Sequence, residues 1–125
     1  DIDTKYRSLT KSELHIMNIL WDMGKATVAE VLENMQEPKP AYTTVQTVLR
    51  VLVQKCVVKT ETQGKSHVYI PIMSREDYTH GFMEETRNTL FKGSFKSFLS
   101  FFAQKERLSN SEIDEIISLL NKSKK

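Results

Sequence analysis

The chain has 125 residues, 39% of them hydrophobic and 27% charged, with a formal net charge of +2. That balance fits one soluble globular domain, or a small domain with an appendage, and excludes a disordered chain. No apolar run approaches the ~20 residues of a membrane span. Asp1-Ile2-Asp3-Thr4-Lys5 lacks a signal-peptide core, and the single cysteine, Cys56, excludes an intrachain disulfide framework and fits a reducing cytoplasm.

The first helix is signalled by Thr10 and Glu13, which form a capping box, and by the staple pair Leu9 and Leu14. Leu14, Met17, Leu20 and Trp21 supply its buried stripe with Ile16 and Ile19 beside it, and Gly24 supplies its end. His15 lies on this helix with no ligand partner nearby, which reads as a surface or half-buried histidine. A second helix starts at Thr27, paired with Glu30, and runs through Val28, Val31, Leu32 and Met35. Glu37-Pro38-Lys39-Pro40 stops it, since proline cannot continue a helix.

The third helix carries the functional signal. Val45, Val48, Leu49, Leu52 and Val53 recur at helical spacing and make an apolar stripe. Thr43, Thr47, Arg50 and Gln54 fall on the opposite face, flanked by Gln46 and Val51. Thr43 is the expected N-cap, with Gln46 closing a capping box. A solvated helix face ordinarily carries Glu and Lys. This one carries no acid, only hydroxyls, amides and a guanidinium, groups suited to phosphates and base edges in a major groove. Three helices in this order, the last two closely joined, predict a helix-turn-helix.

Charge agrees with that reading. Residues 1–37 sum to −3 and residues 76–125 to zero, but residues 38–75 hold Lys39, Arg50, Lys55, Lys59, Lys65 and Arg75 against Glu61 alone. A basic block over the third helix and its sequel is the footprint of a nucleic-acid contact surface, with a chance cluster as the alternative.

Val57–Thr62 and Ser66–Ile72 are rich in β-branched and aromatic residues, and Gln63-Gly64-Lys65 supplies the turn of a hairpin. Lys59 and Glu61 alternate with Val58, Thr60 and Thr62, so one face of the ribbon is expected to be wet. Directly after the recognition helix, such a hairpin reads as a wing with Lys65 and Ser66 at its tip; the alternative is a plain surface hairpin. Ser74 and Asp77 open a further helix through Tyr78, Phe82, Met83 and Leu90, interrupted at Gly93-Ser94. Phe95, Phe98, Leu99 and Phe102 then share a face. Ser109 and Glu112 cap a last helix striped by Ile113, Ile116, Ile117 and Leu120. With Phe91, this aromatic surface exceeds what three short helices can enclose, so it is expected to bury against a second copy of the chain. The alternative is packing within one chain.

The run Leu9–Trp21, the recognition helix Tyr42–Leu49, the wing Gly64-Lys65-Ser66-His67-Val68-Tyr69 and the stretch Lys105–Ser109 together resemble the penicillinase repressors of the BlaI/MecI/CopY type, over nearly the whole chain. The resemblance implies a homodimer that binds a palindromic operator and represses transcription, in a β-lactam-resistance or related regulon. Carried over position by position, it makes Tyr42, Thr43, Thr44, Gln46, Thr47, Arg50 and Lys65 the DNA contacts. It also implies release by a regulatory protease that cuts an Asn-Phe bond in the dimerisation region. The matching pair here is Phe101-Phe102, of which only Phe102 agrees. A further departure is Lys55-Cys56 where the family has Lys-Gly, so the recognition helix is expected to end by another geometry. Copper-sensing members carry C-terminal cysteines; this chain has none there.

The expected fold is therefore mainly α with a small β hairpin: a winged helix-turn-helix over residues 1–73, then a three-helix dimerisation region over residues 74–125. Lys59 and Ser66 join the expected DNA contacts from the wing. The sequence has no His-Glu-x-x-His, no phosphate-binding glycine loop and no close Cys–His pair, so no enzyme, metal or cofactor is expected. Cys56 reads as a small buried hydrophobe, with a redox-sensing thiol as the alternative. The partners expected are duplex DNA, a second copy and a regulatory protease, in the cytoplasm, away from membranes. A winged helix used only to dock an acidic protein is the other class considered.

Overall fold

A computed structural model of the chain describes residues 6–124; Asp1–Lys5, where no signal peptide was expected, lies outside them. The elements are α1 (Lys11–Met23), α2 (Val28–Glu33), α3 (Tyr42–Gln54), β1 (Val58–Gln63), β2 (Ser66–Pro71), α4 (Arg75–Leu90), α5 (Phe95–Glu106) and α6 (Asn110–Lys122). The fold is mainly helical with one antiparallel hairpin. Two compact units meet inside α4, one ending at Met83 and the other starting at Glu84, whereas the change of pattern suggested a boundary at 73/74.

In the first unit, local chemistry starts the helices. Thr10 and Thr27 each accept from the amide three residues on, and Glu13 and Glu30 reach back to the cap amides at 2.9 and 2.8 Å. Gly24, at φ +84°, ends α1 where a side chain would be strained. The core gathers Ile16, Met17 and Leu20 of α1, Val28 and Val31 of α2, Val45, Leu49 and Leu52 of α3, then Val57, Val58, Met73 and Tyr78. The buried face of α1 is thus turned relative to expectation. Ile16 is wholly inside, while Leu14 and Trp21 are only half-buried, because the Trp21 indole N–H donates to the Met73 carbonyl at 2.8 Å and so stays near the surface.

α2 is shorter than its pattern, ending at Glu33 with Met35 outside it. The Lys39 ammonium then donates to the carbonyls of Leu32, Glu33 and Met35 at 2.7–3.0 Å. A cation on those open carbonyls satisfies the helix end and complements its dipole. The hairpin pairs Val58 with Pro71 through Gln63 with Ser66, and Tyr69 exchanges two backbone hydrogen bonds with Ala26, tying the ribbon to the α1–α2 connection. Along β1 only Val58 is buried. Thr60 and Thr62, expected on a covered face, are exposed because the ribbon runs out beyond the core.

In the second unit Ser94 caps α5 and Ser109 caps α6 with Glu112. Arg87 donates to the Gly93 carbonyl at 2.6 Å across the break between α4 and α5. Phe91 packs against Phe98 and Phe101 at ring-centroid distances of 5.4 and 5.6 Å. No residue of α5 or α6 is buried. Phe95, Leu99, Phe102, Ile113, Ile116, Ile117 and Leu120 are all exposed in the single chain.

Candidate nucleic-acid interface

The first unit brings α3 and the hairpin together on one side. α3 starts two residues earlier than expected. Its N-cap is Ala41, held extended after Pro40, and no side chain caps the helix. The expected Thr43–Gln46 capping box is therefore absent, because Thr43 already lies within the first turn. Alanine has no side-chain oxygen to offer, so the first amides of α3 are left without a side-chain cap, the arrangement that receives phosphate oxygens elsewhere.

Tyr42, Thr43, Thr44, Thr47 and Arg50 are exposed and Gln46 is half-buried, while Val45, Leu49 and Leu52 face the core. The Thr47 hydroxyl donates to the Thr43 carbonyl at 2.9 Å, so it faces outward as an acceptor and a methyl. At the wing tip Gly64 takes φ +63° as the first residue of a two-residue turn, and Lys65, Ser66 and His67 follow, all exposed.

The basic block resolves into two classes. Lys39 is bound to the end of α2. Lys55 meets the buried Glu13 carboxylate at 2.6 Å. Arg75 bonds Asp22 at 2.9 Å and lies over the Trp21 ring. Lys59 lies 3.4 Å from Glu61 of its own strand. Among the described residues, Arg50 and Lys65 have no such partner. They are the two bases mounted on the acid-free helix and the wing tip.

Two grooves run between α3 and the ribbon. One is lined by Arg50, Val53, Thr60, His67 and Tyr69. The other is lined by Tyr42, Gln46, Lys65, Ser66, His67 and Tyr69 with Thr27–Ala29 of the α2 start. Thr60, His67 and Tyr69 thus face α3, and strand alternation turns Lys59 to the other side of the ribbon. His67 and Tyr69 border both grooves, yet neither was singled out as a contact. The signal was present in the alternation of Ser66-His67-Val68-Tyr69, which puts residues 67 and 69 on one face.

Two expectations at the α3–β1 junction are corrected. Cys56 is exposed, not buried. It also takes φ +64°, so the helix ends by the left-handed geometry after all, without a glycine. Cys56 N–H donates to the Val53 carbonyl and Val57 N–H to that of Leu52, at 3.0 and 3.2 Å, the paired bonds of a Schellman cap. Burial of Val57 against Leu52 holds that turn in place. At the other end of the Lys55 link, burial alone would push the Glu13 carboxyl up. The Lys55 hydrogen bond and charge, with the Thr10 amide, outweigh it and hold the carboxyl below its ordinary value. No cluster of three or more His, Cys, Asp or Glu among the described residues could hold a metal ion.

The family described as penicillinase repressor matches residues 9–122. Methicillin resistance regulatory protein MecI of Staphylococcus aureus (strain N315) is 28% identical over 122 residues, covering 97% of this chain and 99% of MecI. The penicillinase repressor of Bacillus licheniformis is 25% identical over 121 residues, covering 96% and 94%. Among solved structures, the DNA-binding domain of the repressor BlaI aligns with TM-score 0.52 and 25% identity, over 59% of this chain and 92% of that one. Monomeric Bacillus licheniformis BlaI in complex with the blaP half-operator aligns with TM-score 0.51, at the same identity and coverage.

Proposed function

The chain belongs to the penicillinase repressor family, and from that premise we propose that it is a DNA-binding transcriptional repressor that acts as a homodimer on a palindromic operator. The observation that carries the reading is the freedom of Arg50 and Lys65 from the ion pairs and carbonyl contacts that hold the block's other bases. Each stands where a duplex would be touched, one from the recognition helix and one from the wing. The solved complex of BlaI with a half-operator supports carrying duplex DNA over as the partner.

In this reading α3 enters the major groove. Its uncapped N-terminal amides, Tyr42 and Thr43 sit against phosphate, and Arg50, Gln46, Thr44 and Thr47 read base edges. Lys65 and Ser66 hold the adjacent backbone, while Lys59, on the outer face of the ribbon, reaches only phosphates beyond it. Repression is steric occlusion of a promoter.

The exposed faces of α5 and α6 would bury against their copies, setting the two recognition helices at a fixed half-site spacing. Phe91, Phe95, Phe98, Leu99, Phe102, Ile113, Ile116, Ile117 and Leu120 form that interface. Phe101 and Phe102, each 53% exposed, offer a bond whose scission would divide α5 and release the operator. A protease must first open the helix there, since cleavage requires an extended strand. No helix among the described residues is long and apolar enough to cross a membrane, which suits a regulator working at the chromosome.

Selection of bound duplexes from a random pool tests the core of the proposal. A two-fold-symmetric motif is expected, with log affinity falling steeply with log salt. Failure to enrich any duplex would transfer the basic face to an acidic protein partner. Mass spectrometry of the protein from induced cells tests the release step, and an intact chain on a derepressed promoter would end it.

A further inference from the structure

Resting on the DNA-binding reading, we propose that His67 is a proton-dependent phosphate contact, so that the protein takes up a proton as it grips a duplex and binds more tightly as pH falls. His67 is exposed on β2, directly after the wing-tip residues Lys65 and Ser66. It is the one histidine that borders the grooves between α3 and the ribbon, and with Tyr69 it borders both. His15 and His80 lie on α1 and α4.

The groups that face His67 are Arg50 and Tyr42 from α3, Lys65 from the turn, Tyr69 from its own strand, and Thr60 and Thr62 from β1. The α2 start contributes only Thr27, Val28 and Ala29. No acid lines either groove. The imidazole therefore has no built-in counter-ion, and the anion that would stabilise its protonated form must come from outside. A duplex laid between Arg50 and Lys65 brings phosphate there. Because histidine ordinarily titrates within the physiological range, a site of this kind couples binding to proton uptake. Lysine at the same place would be always on, and glutamine always neutral.

The test uses the full chain and two labelled duplexes, one selected by this protein and one scrambled, titrated at several salt concentrations at pH 8 and at pH 5.5. Affinity for both duplexes is expected to rise about threefold per protomer at the lower pH. The salt slope should steepen by about 0.9 per protomer. Calorimetry in buffers of differing ionisation enthalpy should report proton uptake. His67→Gln should abolish all three effects, His67→Lys should bind at pH 8 as the native chain does at pH 5.5, and His15→Gln and His80→Gln should leave the effects intact. A native chain whose affinity ignores pH, or a His67→Gln variant that keeps the dependence, would overturn the inference while leaving the repressor reading in place. Absence of binding to either duplex at both pH values would overturn the repressor reading, and this inference with it.

Discussion

Replacing Cys56 by glycine should stabilise the protein, and the size of the gain follows from the backbone. A non-glycine residue in the left-handed region costs about 1–2 kcal/mol, and Cys56 sits there at φ +64°. Its side chain is exposed, and the contact it makes, to the Gln54 carbonyl at 3.7 Å, is weak. Glycine loses more freedom on folding, which returns about 0.5–1 kcal/mol to the unfolded state. The net expectation is a gain of about 0.5–1 kcal/mol, an upward shift of roughly 0.3–0.5 M in the urea midpoint for a chain of this size. Cys56→Ala is the control: it removes the thiol, keeps the strain, and should stay within a few tenths of a kcal/mol of the native chain. Urea titration followed by far-ultraviolet circular dichroism reads all three proteins. If the glycine variant were no more stable than the alanine variant, backbone strain at this cap would be refuted as the cause.

Gly81→Ala should destabilise, although alanine is ordinarily worth about 1 kcal/mol in a helix interior. A Cβ there would come within 2.5 Å of the Tyr6 side chain, so a net loss of about 1–2 kcal/mol is expected from thermal melts, and Tyr6→Ala in the same chain should relieve it. Glu13→Gln should cost about 1–2 kcal/mol, discounted because Lys55 is partly open to solvent. Since the folded carboxyl is held below its ordinary 4.5, its contribution is complete above that pH and is lost as pH falls below it. Acid titration of the variant should therefore lack that part of the native decline. Arg50→Ala should weaken binding to the selected duplex by ~1–3 kcal/mol and relax discrimination. Lys65→Ala should weaken selected and scrambled duplexes alike and reduce the salt slope by about 1 per protomer; equal specificity ratios for the two variants would contradict these roles. Ile117→Asp should leave unit 1 folded and shift the chain to monomer in analytical ultracentrifugation.

What could be read from the sequence was what the sequence holds locally. The boxes at Thr10/Glu13, Thr27/Glu30 and Ser109/Glu112 are spaced three apart, and all three form. The apolar stripe of α3 and the turn at Gly64 are likewise contained within a few residues. The errors arose where a distant or subtle competitor won. Thr43 looked like a cap, but Pro40 and Ala41 start the helix first. Cys56 looked like a core residue, yet the Schellman bonds and the burial of Val57 hold it outside in a strained turn. The link from Glu13 to Lys55 spans 42 positions, and no periodicity announces it. Lys39, Lys55 and Arg75 swelled the basic block although each is anchored within the fold. The turn residues Gly64 and Lys65 mark the wing's tip, whereas its groove is made behind them by His67 and Tyr69, two positions apart, where no turn signal points.

Trp21 is the chain's sole tryptophan, and its setting gives the molecule a built-in fluorophore for one half only. The indole is tethered to the Met73 carbonyl and lies 6.0 Å from the Tyr78 ring, so its emission reports whether the start of α4 is seated on α1. Nothing beyond Met83 emits at tryptophan wavelengths. Dichroism, by contrast, sums every helix. Melting curves from the two optical signals would coincide for a chain that unfolds all at once and separate for one whose halves come apart in turn.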